Sequence, residues 1–128
     1  MIVVDASVIV TALADDGDRV RGRLRDERLI APHLIDLEVV AAWRRLAGAG
    51  ALAQRRAQLA LEDLRALRVD RVPHGPLLSR CWELRDNLTV YDAAYVALAE
   101  ALDVTLLTAD ARLAAAPGTR CEIDLIRP

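Results

Sequence analysis

The chain has no lysine. All 17 of its basic residues are arginine, so chemistries that hold a phosphoryl group with a lysine have nothing to hold it with. A P-loop is excluded on that ground, and no G-x-G-x-x-G follows the first apolar run. Phenylalanine is also missing. Two tryptophans and two tyrosines are the whole Phe/Trp/Tyr complement, which leaves few platforms for stacking bases. The two cysteines, Cys81 and Cys121, lack metal-type spacing, so they read as buried thiols of a reducing cytosol and not as a disulfide scaffold. The longest apolar runs, such as "LDVTLL", fall far short of a membrane span. No basic segment followed by an apolar core and cleavage site opens the chain, so no secretory signal is expected and the location expected is cytoplasmic. The formal charge of −2 argues against a generic nucleic-acid binder, although a net charge hides its distribution.

What is present is a strand–helix alternation. At 128 residues the chain is expected to be one domain, able to bury roughly two-thirds of its unfolded surface. "IVVD" predicts a strand over 2–5, followed by helical material through 14 and over 17–27. "RLIAP" contains a brief extended piece. Helices are expected over 33–47, over 51–66 in "ALAQRRAQLALEDLRA", over 76–85 and, most strongly, over 90–102 in "VYDAAYVALAEAL". "LRVDRV", "VTLLT" and "CEIDLI" read as strands, with a short helix in "DARLAAA". This order predicts an α/β domain with a mostly parallel sheet covered on both faces. In such sheets ligands bind beyond the carboxyl ends of the strands.

Four acids stand out against that frame. Asp5 follows the first strand and Asp110 lies just past another, so parallel strands bring both to one edge of the sheet. Glu38 has Leu34, Ile35, Ala41 and Ala42 three and four positions away, which points it along an apolar stripe where a charge is costly unless compensated. Asp92 opens a helix with Tyr95 and Val96 one turn on. Each acid also has a structural reading. Asp5 and Asp110 can cap the helices that follow. Thr89 and Asp92 have the T-x-x-D spacing of a capping-box variant, and Glu38 can pair with Arg45. Were all four to share a site, the physics is restrictive. Two unit charges about 4 Å apart repel by roughly 4 kcal/mol at an effective dielectric near 20. Such a group takes up protons or a cation. Oxygen-only donors favour Mg²⁺ or Mn²⁺ over zinc, and the chemistry then implied is phosphodiester hydrolysis.

The segments "VVDASVIV", "APHLIDLEVVAAWRRL", "NLTVYDAAYVALAEAL" and "LLTADARL" together resemble the PIN-domain nucleases, and within them the VapC toxins of bacterial type II toxin–antitoxin modules. The likeness covers most of the chain, and "YDAAYVALAE" followed by "LLTADARL" is its most specific part. It implies a single PIN domain over 1–128, an α/β/α sandwich around a mostly parallel sheet. It also implies a Mg²⁺-dependent endoribonuclease, with Mn²⁺ able to substitute, that hydrolyses RNA by metal-activated water. Asp5, Glu38, Asp92 and Asp110 fall on the family's acidic constellation. Asp5, Asp92 and Asp110 match its metal ligands, and Glu38 a residue acting through water or a second ion. Ser7 and Thr108 match small hydroxyl positions near the centre, or else cap the next helix. A VapB-like antitoxin, a homodimer and no membrane are implied as well.

Arginine pairs and runs (Arg19 to Arg28, Arg44/Arg45, Arg55/Arg56) offer places for RNA phosphates, or simply a solvated helical surface. Trp82, Tyr91 and Tyr95 are expected in the core, and nothing in the sequence brings His33 and His74 together. Two rivals stand beside the ribonuclease. An Asp-nucleophile phosphotransferase built on Asp5 lacks its lysine, whereas a non-catalytic PIN-like scaffold binding RNA or protein would have no use for an intact set of acids.

Overall fold

The computed structural model describes residues 1–50 and 52–127, so the first residue of the helix expected from 51 lies outside the described residues. Five strands are present: β1 (Ile2–Val4), β2 (Leu29–Pro32), β3 (Val69–Val72), β4 (Leu106–Thr108) and β5 (Ile123–Leu125). The helices are α1 (Ala6–Ala12), α2 (Asp18–Leu24), α3 (Ile35–Gly48), α4 (Gln54–Ala66), α5 (Leu78–Glu83), α6 (Val90–Leu102) and α7 (Ala111–Ala114), with a 3-10 turn at Gly75–Leu77. The expected elements are all there. Most are shorter than the apolar pattern proposed; at β1 the reason is Asp5, whose side chain caps α1 and ends the strand at Val4.

The strands pair in the order β3-β2-β1-β4-β5, every pair parallel. Val3 stands beside Ile30 on one side and Leu106 on the other, and Pro32 stands opposite Val72. Every residue of β1, β2 and β4 is buried. Successive strand residues face opposite sides, so both faces of the sheet must be covered. Right-handed crossovers explain how. The chain steps from β1 to β2 to β3 in one direction, which puts α1–α4 on one face. It then returns past β1 to β4 and β5, which puts α5–α7 on the other.

α6 is the central helix of that second layer. Its residues Ala93–Ala99 are all buried, and the four alanines among them let it lie against β1, β2 and β4. The layers are also tied at the surface. Arg71 donates from Nε to Asp36 at 2.7 Å, joining β3 to α3, and Arg80 donates from Nε to Glu100 at 2.6 Å, joining α5 to α6. The order in which strands are added reverses between β1 and β4, and at that switch point the two flanking loops part to leave a crevice beyond the strand ends.

Candidate active site

That crevice is a cleft of about 690 Å³, and Asp5, Glu38, Asp92 and Asp110 all line it. They come from four elements: the end of β1, the first turn of α3, the first turn of α6, and the end of β4. Asp5 is 5% exposed and caps α1, its Oδ1 accepting from the Val8 backbone N–H at 3.2 Å. The Ser7 hydroxyl donates to the same oxygen at 2.5 Å, and the Thr108 hydroxyl donates to Oδ2 at 2.5 Å. Burial raises the Asp5 pKa above the ordinary carboxylate value. The hydrogen bonds oppose that rise, while the negative charge of Asp92 adds to it.

Ser7 and Thr108 thus orient Asp5 and also knit the two strand ends together. Ser7 accepts the Ala109 N–H at 2.9 Å, and Thr108, fully buried, accepts the Asp110 N–H at 3.0 Å. Asp110 caps α7 through the Arg112 N–H at 2.9 Å. Thr89 caps α6 by accepting the Asp92 N–H at 3.1 Å. The capping and cleft readings of Asp5 and Asp110 are therefore both true. A cap fixes where the carboxylate sits, and the strand end fixes what it faces.

Asp92 is raised by burial and then by Asp110, with Thr89 and Arg112 opposing. Glu38 is raised by burial, and the charges of Asp92 and Asp5 add to the rise. It accepts a hydrogen bond from the Tyr95 hydroxyl at 2.6 Å. Tyr95, 1% exposed, has its own pKa driven up by burial and by Glu38, so it stays a phenol and a donor. Three acids with raised pKa values in one cleft show that their charges are incompletely compensated.

Several expectations are corrected here. Glu38 forms no ion pair with Arg45 among the described residues. Arg45 lies seven positions on, about two turns away, so the acid takes a neutral donor from α6 instead. Trp82 and Tyr91 are 67% and 64% exposed, not core, and the Arg85 guanidinium lies over the Trp82 ring at 4.2 Å from its centroid. His33 and His74 do meet, with centroids 6.0 Å apart, because each follows one of the paired strands β2 and β3. His74 Nε2 accepts the Leu34 N–H at 3.0 Å, at the start of α3, which accounts for it structurally. Cys81 is buried and Cys121 half-buried, both as free thiols. Sequence reasoning did not single out Tyr95, Tyr91, Arg45 and Arg112 as cleft residues, although all four line it. The available signal was spacing: Tyr95 is one turn from Asp92, and Arg45 two turns from Glu38.

The donor chemistry of the cleft suits a hard divalent cation, since its ligating groups are all oxygens. Among the described residues no three His, Cys, Asp or Glu side chains stand close enough to cage an ion. Also among the described residues, no helix is long and apolar enough to cross a membrane.

A model of the PIN domain family matches residues 2–118. Ribonuclease VapC1 of Mycobacterium tuberculosis is 50% identical over 129 residues, covering 98% of this chain and 97% of that one. A crystal structure of a Pyrobaculum aerophilum protein is similar at a TM-score of 0.75 and 25% identity, covering 97% of this chain and 83% of that chain. The crystal structure of VapBC2 from Rickettsia felis, bound to a DNA fragment from its promoter, shares the fold. Its TM-score is 0.71 and its identity 15%, with coverage of 99% and 100%.

Proposed function

This chain belongs to the PIN-domain family, among its VapC ribonucleases, and from that premise we propose that it is a Mg²⁺-dependent endoribonuclease and the toxin of a VapBC-type module. The observation that carries the reading is the cleft itself. Four carboxylates from four elements line one cleft at the switch point of a parallel sheet, three of them with raised pKa values. Natural folds pair most buried charges, and a set left unpaired is a site for a cation.

Asp5 and Asp92 would hold the ion directly and Asp110 through a bound water, since no three of the described acids stand close enough to share it, with Mn²⁺ able to replace Mg²⁺. When bound, it supplies a Lewis acid that lowers the pKa of water and neutralises charge on a phosphoryl oxygen. The chain's own part is positioning. Ser7 and Thr108 fix both oxygens of Asp5, so the carboxylate has one orientation before any ligand arrives. Tyr95 holds Glu38 with one oxygen engaged, leaving the other to orient water in the cleft. Hydrolysis forms a bond from water oxygen to phosphorus and breaks the P–O3′ bond. The products carry a 5′ phosphate and a 3′ hydroxyl. The Asp-nucleophile alternative lacks the lysine that would hold its phosphoryl group.

The partners that follow are an RNA substrate, a VapB-like antitoxin and a second copy of the chain, in a cytoplasmic setting and as a single PIN domain. Support for the antitoxin comes from the family and from the Rickettsia felis VapBC2 complex of the same fold. The test is incubation of purified chain with mixed RNA, with Mg²⁺ or with excess EDTA. Cleavage confined to Mg²⁺, with 5′ phosphate ends, is expected. Full cleavage in EDTA, or 2′,3′-cyclic phosphate ends, would contradict the reading.

A further inference from the structure

Two cations line the cleft, each acting on an acid as a nearby charge, and neither is needed to hold the ion or the water. Arg45 stands on α3, two turns beyond Glu38 and about 10 Å further along the helix axis. Arg112 stands on α7, two residues beyond Asp110. Both line the cleft with the four acids, and they reach it from different helix layers. Other arginines are committed elsewhere. Arg28, Arg56, Arg71 and Arg80 each meet a carboxylate outside the cleft. Among the described residues Arg45 has no carboxylate within ion-pair distance. Arg112, its side chain 95% exposed, only approaches Asp110 at 3.7 Å.

The arrangement of charge is what gives these residues a use. The hydrogen bond to Glu38 comes from the neutral Tyr95 hydroxyl, and no ion pair ties Arg45 to Glu38 among the described residues, so the guanidinium stays available. One cleft thus carries the four acids together with two guanidinium groups from different helix layers. A polyanion entering it finds a cation for a phosphate on α3 and another on α7. Guanidinium groups suit phosphate because they bind it with two parallel N–H donors.

We propose that Arg45 and Arg112 are substrate-positioning residues, holding the RNA phosphates on either side of the one that is cleaved. This rests on the ribonuclease reading, and it specifies which of the 17 arginines set the register of the strand.

The test is the salt dependence of binding to a fluorescein-labelled single-stranded RNA of mixed sequence, read by anisotropy in EDTA so that metal-dependent cleavage is absent. For single strands each neutralised phosphate contributes about 0.7 to the log–log slope. Arg45→Ala and Arg112→Ala should each flatten the slope by about 0.7, and the double variant by about 1.4. Arg45→Lys, which keeps the charge, should keep the slope. Arg55→Ala should leave it unchanged, because Arg55 is exposed on α4 but does not line the cleft. In Mg²⁺, each alanine variant should raise KM about three- to tenfold with kcat within about twofold, the pattern of lost uniform binding.

An unchanged slope in the double variant overturns the proposal. So does an equal loss from Arg55→Ala, a fall in kcat at constant KM, or absence of RNA binding by the unaltered chain. The two readings fail separately. Cleavage that survives EDTA sinks the metal reading and leaves the slope result standing. An unchanged slope with intact Mg²⁺-dependent cleavage sinks only the positioning role of the two arginines.

Discussion

Helix α6 carries one carboxylate near each end, and the fold treats them in opposite ways. Glu100, in the last turn, receives a bidentate guanidinium from Arg80 and the backbone N–H of Arg120 at 2.7 Å. Burial would raise its pKa, but those donors overcome it and hold Glu100 below the ordinary value. Asp92, in the first turn, is also partly buried, yet it faces Asp110 and keeps a raised pKa. The helix, the charge and the layer are shared; what differs is that a cation hydrogen-bonds Glu100, whereas Asp92 feels Arg112 only as a nearby charge. At the far end charge is used to join α5 to α6. At the cleft end it is left open, and an uncompensated carboxylate in a folded chain marks a place for something outside the chain.

The contrast can be broken from either side. The largest expected effect is on turnover: Asp92→Asn should lower Mg²⁺-dependent RNA cleavage by on the order of a thousandfold, whereas Glu100→Gln should leave the folded protein active. Initial rates on labelled RNA, scaled to the folded fraction, measure both. Next comes stability. Glu100→Gln leaves the half-buried Arg80 without its main partner and should cost about 2 kcal/mol by urea denaturation, below the value for a fully buried pair because some water reaches it. Tyr95→Phe, which frees Glu38 to turn, should slow cleavage about tenfold while the fold persists, as removal of an outer support of a ligand does.

The smallest effect separates the two acids by sign. In the folded chain Glu100 lies below its ordinary pKa of 4.5, so its contribution to stability is present above that pH and is lost as the pH falls through the folded value. Asp92 lies above its ordinary 3.8, so its contribution is present in acid below that pH and is lost as the pH rises through the folded value. Metal-free Asp92→Asn should therefore melt roughly 3 °C above the unaltered chain at neutral pH, and the gap should close in acid. A gap of constant size across that range would show that the charge of Asp92 is not its cause.

Much of this could be read before any coordinates. "IVVD" and "VTLLTAD" announce acids at strand ends, and parallel pairing then obliges Asp5 and Asp110 to share an edge. Periodicity also gave α6 its bounds to the residue, because a helix buried along its whole middle has an uninterrupted apolar signal. Long-range hydrogen bonding is another matter. That Thr108 would clamp Asp5, or Tyr95 reach Glu38, depends on how layers stack, and sequence spacing of 103 or 57 residues carries no trace of it. The histidines were in principle legible, since each follows a strand, but only once β2 and β3 are known to be neighbours. Trp82 and Tyr91 were misplaced for a different reason. Large aromatics usually prefer the interior, whereas Tyr91 sits on the first turn of α6, where the helix leaves the sheet for the cleft mouth.

The claim beneath all of this is that the cleft acids act together as the seat of a divalent ion. Titration calorimetry of Mn²⁺ into the metal-free chain tests it most directly, with Asp92→Asn alongside. Saturable binding by the unaltered chain, weakened at least about tenfold in the variant, is the expected result. No saturable heat, or equal affinity in the two proteins, would contradict it.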